Sequence, residues 1–187
     1  MTEPQVIDQP DEEYDPGTDE KTAYALYGLA TYKANVLEQS LLGTLRASKI
    51  ISGGVEGLRA FNDPKLLKAT MGQLIRFSKP YVGAHPDVMN DLYESLKRRN
   101  YLIHHFWYEQ IADMFSESGR AKLCGDLKAD CRLFTRTNER LNEKIYDPLL
   151  PALGITPEMV EAQYSKDHRE AMTLYEAKPF TAEGESA

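Results

Sequence analysis

The chain has 187 residues, enough for one domain with a sizeable core, and its 42% apolar and 27% charged side chains are those of an ordinary globular protein. No apolar run approaches the roughly 20 residues needed to cross a bilayer, and the acidic, proline-bearing stretch Met1–Gly17 is the opposite of a signal or transit peptide. These features predict a cytoplasmic protein with no membrane partner.

The net charge of −7 is unevenly spread. The first twenty residues carry eight acidic side chains and no basic one, and 176–187 carry three against one lysine, which leaves +3 on residues 21–175. A mildly basic body between acidic ends is compatible with a nucleic-acid partner without demanding one.

Residues 1–17 lack periodicity and are rich in Asp, Glu and Pro, the composition of a disordered acidic tail. Such a tail aids solubility; a tethered polyanion beside Lys97-Arg98-Arg99 can also act as a weak competitor for phosphate. Thr18-Asp19-Glu20 then supplies a capping residue and first-turn acids for a helix running to about Ser52, some 50 Å at roughly 1.5 Å per residue. Its apolar stripe is Ala23, Tyr27, Ala30, Ala34, Leu37, Leu41 and Leu45, with Glu38 beside it as a rim carboxylate or a partner for Arg99.

Gly53-Gly54 ends that helix. A short connection leads to Asn62-Asp63-Pro64, which predicts a second helix from Lys65 to about Phe77. Lys79 to Pro86 reads as a loop, with His85 an ordinary loop residue. A third helix is expected over about 87–115, interrupted after Phe115 by Ser116-Glu117-Ser118-Gly119. A fourth runs from about Arg120 to Tyr146 on the stripe Leu123, Leu127, Cys131, Phe134, Asn138, Leu141, Ile145, with a basic outer face including Arg132, Arg136 and Arg140. Thr156-Pro157-Glu158 caps a last helix through about Tyr175, and residues 177–187 read as a second disordered tail. Cys124 and Cys131 lie two turns, or roughly 10 Å, apart on one helix, too far to pair there, and fit two small core residues.

No β-alternating run, internal repeat or glycine-rich phosphate loop occurs. The fold expected for residues 18–176 is all-α: a bundle of four to five helices, two or three of them long and antiparallel. No cofactor or metal is expected.

The stretch Arg98 to Trp107 stands out from this pattern. Leu92, Leu96, Ile103, Trp107, Ile111 and Met114 recur at three- and four-residue steps, the spacing of one buried helical face. Arg99, Asn100 and His104 interrupt that face, and a charged group at a core-facing position costs free energy unless it is paired. Asn100 and His104, four apart, lie one above the other. Arg99 and His104 are separated by about 140° around the helix and about 7.5 Å along it, so they flank a shared edge. A two-fold dimer pairing this face with itself would gather two histidines and two arginines around one cleft. A histidine can move a proton near neutral pH, and an arginine fork suits a phosphate whose charge grows in the transition state. A metal-independent ribonuclease needs both groups. Arg98 and His105 are supporting residues at most, and Trp107 and Tyr108 read as core and rim.

Arg99-Asn100-x-x-x-His104 resembles the Arg-x4-His motif of HEPN domains, including the polar residue after the arginine that the family favours. The resemblance implies an all-α homodimer with a composite site of Arg99, Asn100 and His104. It further implies RNA cleavage by 2′-OH attack in a toxin or antiphage defence setting, and a cognate antitoxin or regulatory protein as partner. The two-component toxins are similar to Arg-x4-His-x-Tyr; here the last position is Phe106, which has no hydroxyl for a nucleotidyl-transferring antitoxin to modify. The competing reading is a non-catalytic dimeric helical module that binds a nucleotide or a protein partner.

Overall fold

The computed structural model describes residues 19–61 and 63–177; the acidic stretch 1–17 and nearly all of the expected C-terminal tail lie outside them. The described residues form helices and connecting turns with no strand, as the hydropathy pattern requires. Three long helices carry the core: α1 (Glu20–Phe61), α4 (Pro86–His104) and α6 (Glu117–Leu141). Short helices are α2 (Pro64–Leu67), α3 (Met71–Val82), α5 (Phe106–Gln110) and α7 (Asp147–Leu149), and a 21-residue terminal helix, α8 (Pro157–Ala177), follows them. No helix among the described residues is long and apolar enough to cross a membrane.

α1 starts where its caps dictate. The Asp19 carboxylate accepts the Thr22 amide at 2.7 Å, and this bond holds the Asp19 carboxyl below its ordinary range. Ala23, Ala30, Ala34, Leu37, Leu41 and Leu45 are all nearly or fully buried, and the alanines let α6 approach closely. Gly54 sits at φ 53°, in the left-handed region, and kinks the chain there. What reads as an irregular connection after Gly54 is a further helical piece reaching Phe61.

The expected helix over 65–77 is divided. Asp63 caps α2 as its position before proline predicts, accepting the Lys65 amide at 2.9 Å, but α2 ends after one turn. Thr70 and Gln73 then form a reciprocal capping box that begins α3. α3 also runs through Pro80 to Val82, so the expected loop at Lys79 shrinks to Gly83–His85. His85 takes the N-cap position of α4 without capping through its side chain.

The third helix does not run to Phe115. α4 stops at His104, His105 leaves helical geometry at φ −127° and ψ −27°, and the chain turns into α5 and a 3-10 turn over Ile111–Phe115. Crowded aromatic and imidazole side chains from 104 to 108 have modest helix propensity, and tertiary packing decides the break. The turn drives Phe106 to 2% exposure, edge-on to Tyr101 and against Tyr27. The Tyr27 hydroxyl donates to the Leu102 carbonyl at 3.1 Å, satisfying an acceptor at the helix end.

α6 begins earlier than expected. Ser116 accepts the Gly119 amide at 3.1 Å as N-cap, so Glu117-Ser118-Gly119 is a first turn and not a break. Gly119 is required because a Cβ there would stand 2.2 Å from the Asp113 carbonyl oxygen. The stripe Leu123, Leu127, Cys131, Phe134 and Leu141 is buried as predicted, and a π turn over Asn142–Tyr146 carries the axis on into α7.

Side-chain pairs give the helix directions. Asp91 with Arg140, Ser95 with Thr137 and Arg98 with Asp130 run in opposite numerical order, so α4 and α6 are antiparallel. Tyr27 with Leu102 and Glu38 with Arg99 make α4 antiparallel to α1 as well. α1 and α6 therefore lie side by side in the same direction, with Lys33 donating to Thr135 at 3.0 Å. Both cysteines are buried, and neither forms a disulfide among the described residues. Burial pushes the Cys124 thiol above its ordinary range. In native protein at neutral pH both thiols should resist iodoacetamide and become labelled in denaturant; rapid labelling of the folded chain, followed by mass spectrometry, would contradict this packing.

Candidate functional site

The break at His105 relocates the motif. His104 is the last residue of α4, so Arg99, Asn100 and His104 occupy its final turns and not the middle of a longer helix. They do not interrupt a continuous buried seam either. Leu92 and Met114 are buried, but Ile103 is 42% and Ile111 47% exposed. Asn100 and His104 face outward, and Arg99 is half-buried.

The neighbours Arg98 and Arg99 point to different helices because successive residues are about 100° apart. Arg98 faces α6 and grips Asp130 with both arms of its fork, Nε to Oδ1 at 2.6 Å and Nη2 to Oδ2 at 2.7 Å. Its guanidinium also lies 4.8 Å over the Tyr101 ring. The bond to Asp130 pushes the Arg98 guanidinium above its already high range. Arg98 is thereby a scaffold residue tying α4 to α6, not a free group beside the motif.

Arg99 faces α1. Its Nη2 stands 3.6 Å from Glu38 Oε2, an ion pair longer than a hydrogen bond. Nη1 donates to the Asn100 side-chain oxygen at 3.3 Å, and Nε is buried with no partner among the described residues. Of the two readings for Glu38, a rim position or a partner for Arg99, the pairing is the one formed. The result is an arginine held in place by weak contacts with donor capacity left over.

His104 and His105 have ring centroids 6.3 Å apart at 72°, both exposed. Trp107 is half-buried against Tyr24, Tyr27 and Phe106, while Tyr108 is 89% exposed. The structure thus brings Arg99, Asn100 and Glu38 into one contact network, leaves His104 on the same helix end with no hydrogen bond or ion pair to them, and removes Arg98 to the opposite flank.

A second polar feature lies on that opposite flank, in a cleft of about 410 Å³ between α4 and α6 lined by Glu94, Arg98, Asp126, Asp130, Arg132 and Arg136. Asp130 carries a readable signal, since it falls at core spacing between Leu127 and Phe134, and a carboxylate there needs a cation from a neighbouring helix. Which arginine would answer it was not legible in sequence. No family model, no curated protein and no solved structure matches the chain.

Proposed function

We propose that this chain is a HEPN-like, metal-independent endoribonuclease of a toxin or antiphage defence type, acting as a homodimer through the C-terminal end of α4. The observation that carries the reading is the contrast between two adjacent arginines. Arg98 has its fork filled by Asp130, whereas Arg99 is positioned with a buried Nε that has no partner among the described residues, next to the exposed Asn100 and His104. A buried donor without an acceptor is costly, and a partner from outside the fold relieves that cost. A phosphoryl oxygen would complete it.

In this mechanism His104 takes the proton from a ribose 2′-OH, and that oxygen attacks the adjacent phosphorus. The bond from phosphorus to the 5′ oxygen breaks, and the leaving oxygen takes a proton from the second His104 of the dimer. Arg99 holds the non-bridging oxygens as their charge grows, with Asn100 orienting its guanidinium. Exposed Ile103, Tyr108, Ile111 and Phe115, on and just after the end of α4, supply apolar surface for the dimer contact.

Light scattering coupled to size exclusion should then report about twice the 21.2 kDa chain mass at tens of micromolar, as expected for a closed two-fold pair. Incubation with RNA in excess chelator should leave fragments ending in 2′,3′-cyclic phosphate and 5′-hydroxyl. A monomer that leaves RNA intact would remove the composite site and favour a helical module that binds a nucleotide or a protein.

A further inference from the structure

We infer that the cleft between α4 and α6 is a binding site for the backbone of single-stranded RNA, separate from the Arg99–His104 end. The inference concerns binding and does not depend on whether His104 cuts.

A basic repeat runs along α6. Lys128, Arg132, Arg136, Arg140 and Lys144 recur every four residues along α6 and its π turn, a step of about 6 Å along the axis. The tertiary structure divides this repeat. Lys144 is taken by Asp87, and Arg140 by Asp91 at 2.6 Å. Arg136 touches the same Asp91 only at 3.5 Å and is 48% exposed, and Arg132 is exposed with no ion pair to any described residue. Arg132 and Arg136 are the two members left facing the cleft.

The cleft floor is rigid. Arg98 is fixed by Asp130 on one side and by the Tyr101 ring on the other, and it keeps Nη1 free of that carboxylate, 32% of its side chain remaining exposed. Two guanidinium groups, those of Arg132 and Arg136, therefore offer planar forks suited to phosphate oxygens and flat faces on which bases can lie, beside the one remaining arm of Arg98.

The remaining lining residues narrow the ligand. Glu94 and Asp126 put carboxylates into the same cleft, which makes it poor for a bare, dense anion. A chain that alternates phosphates with hydroxyl donors fits better: phosphates on Arg132 and Arg136, ribose 2′-OH groups donating to Glu94 or Asp126. The 2′-OH is the group that distinguishes RNA from DNA at a given site. Exposed Lys97 and Tyr93 continue the outer face of α4 from Glu94 round toward Asn100 and His104, so a strand leaving the cleft has a polar path to the motif.

The test uses the full chain carrying His104→Ala, so that cutting cannot deplete the probe, and fluorescence anisotropy with a labelled oligouridine and the matching oligodeoxyuridine. Arg132→Ala with Arg136→Ala should weaken RNA binding about tenfold at low salt and lower the salt slope by about 1.4, two phosphate contacts on a single strand. Folding is preserved because Asp91 retains Arg140. RNA should bind about tenfold tighter than DNA, the worth of one hydrogen bond to a charged acceptor, and Glu94→Gln with Asp126→Asn should shrink that gap. Unchanged affinity and slope in the double arginine variant overturn the site, and equal affinity for the two nucleic acids overturns its assignment to RNA. Loss of cutting in an otherwise wild-type chain bearing the arginine changes is a separate readout. If no cutting is seen in any version while these binding differences hold, the endoribonuclease reading fails and the cleft assignment stands.

Discussion

Replacing His104 by alanine is expected to abolish growth inhibition when the chain is overproduced in a bacterial host, while the unaltered chain arrests growth. The expected loss of cutting is about 10²- to 10⁴-fold, the range for removing a positioned general acid or base. Because His104 is exposed at the end of α4 and packs nothing essential, the variant should keep its melting temperature, and the effect is chemical. Arg99→Ala should reproduce the loss, and Arg99→Lys should rescue little, since a point charge cannot replace a planar fork. His105→Ala should be close to neutral. Equal growth with the His104 variant and the unaltered chain, with intact cellular RNA in both, would transfer the motif to the reading of a helical binding module.

Arg98→Ala should be the most damaging single polar change to stability, although it lies next to Arg99 in sequence. Asp130 is 3% exposed and receives two short charge-assisted bonds from Arg98. Truncating the arginine leaves that carboxylate buried without its cation, a loss of about 3 kcal/mol after allowing for the partial exposure of Arg98 itself. For a chain of this size that is a fall in melting temperature of roughly 6–12 °C. Asp130→Ala should cost less, because the freed guanidinium can turn to water. Arg99→Ala should cost less than Arg98→Ala, about 1 kcal/mol, since its 3.6 Å contact with Glu38 is longer than a hydrogen bond. Thermal unfolding followed by circular dichroism ranks the three. Equal losses for Arg98→Ala and Arg99→Ala would refute the division of labour between them.

That division separates what was readable in the residues from what was not. The apolar stripes of α1 and α6 were legible because each is long, regular and buried against several partners, so local periodicity and tertiary packing agree. The caps at Asp19, Asp63 and Thr156 were equally legible, since a side chain that accepts an amide two or three residues on needs no other part of the fold. The end of α4 was not. Ile103, Trp107 and Ile111 continue the three- and four-residue spacing, and the break at His105 arises from Phe106 packing between Tyr27 and Tyr101, which lie on other turns and another helix.

The sequence by itself determined that this is an all-α chain, that α1 and α6 bury the stripes they do, and that an arginine, an asparagine and a histidine share one turn-spaced segment. Only the tertiary structure decided that α1 and α6 run parallel with α4 against them, that Glu38 meets Arg99, and that Asp130 takes Arg98. The physical reason is range. Periodicity and capping are set by neighbours within a turn or two, whereas the partner of a charged side chain is chosen by which helix the fold places across from it. Two adjacent arginines of identical chemistry are assigned opposite roles by the 100° between them.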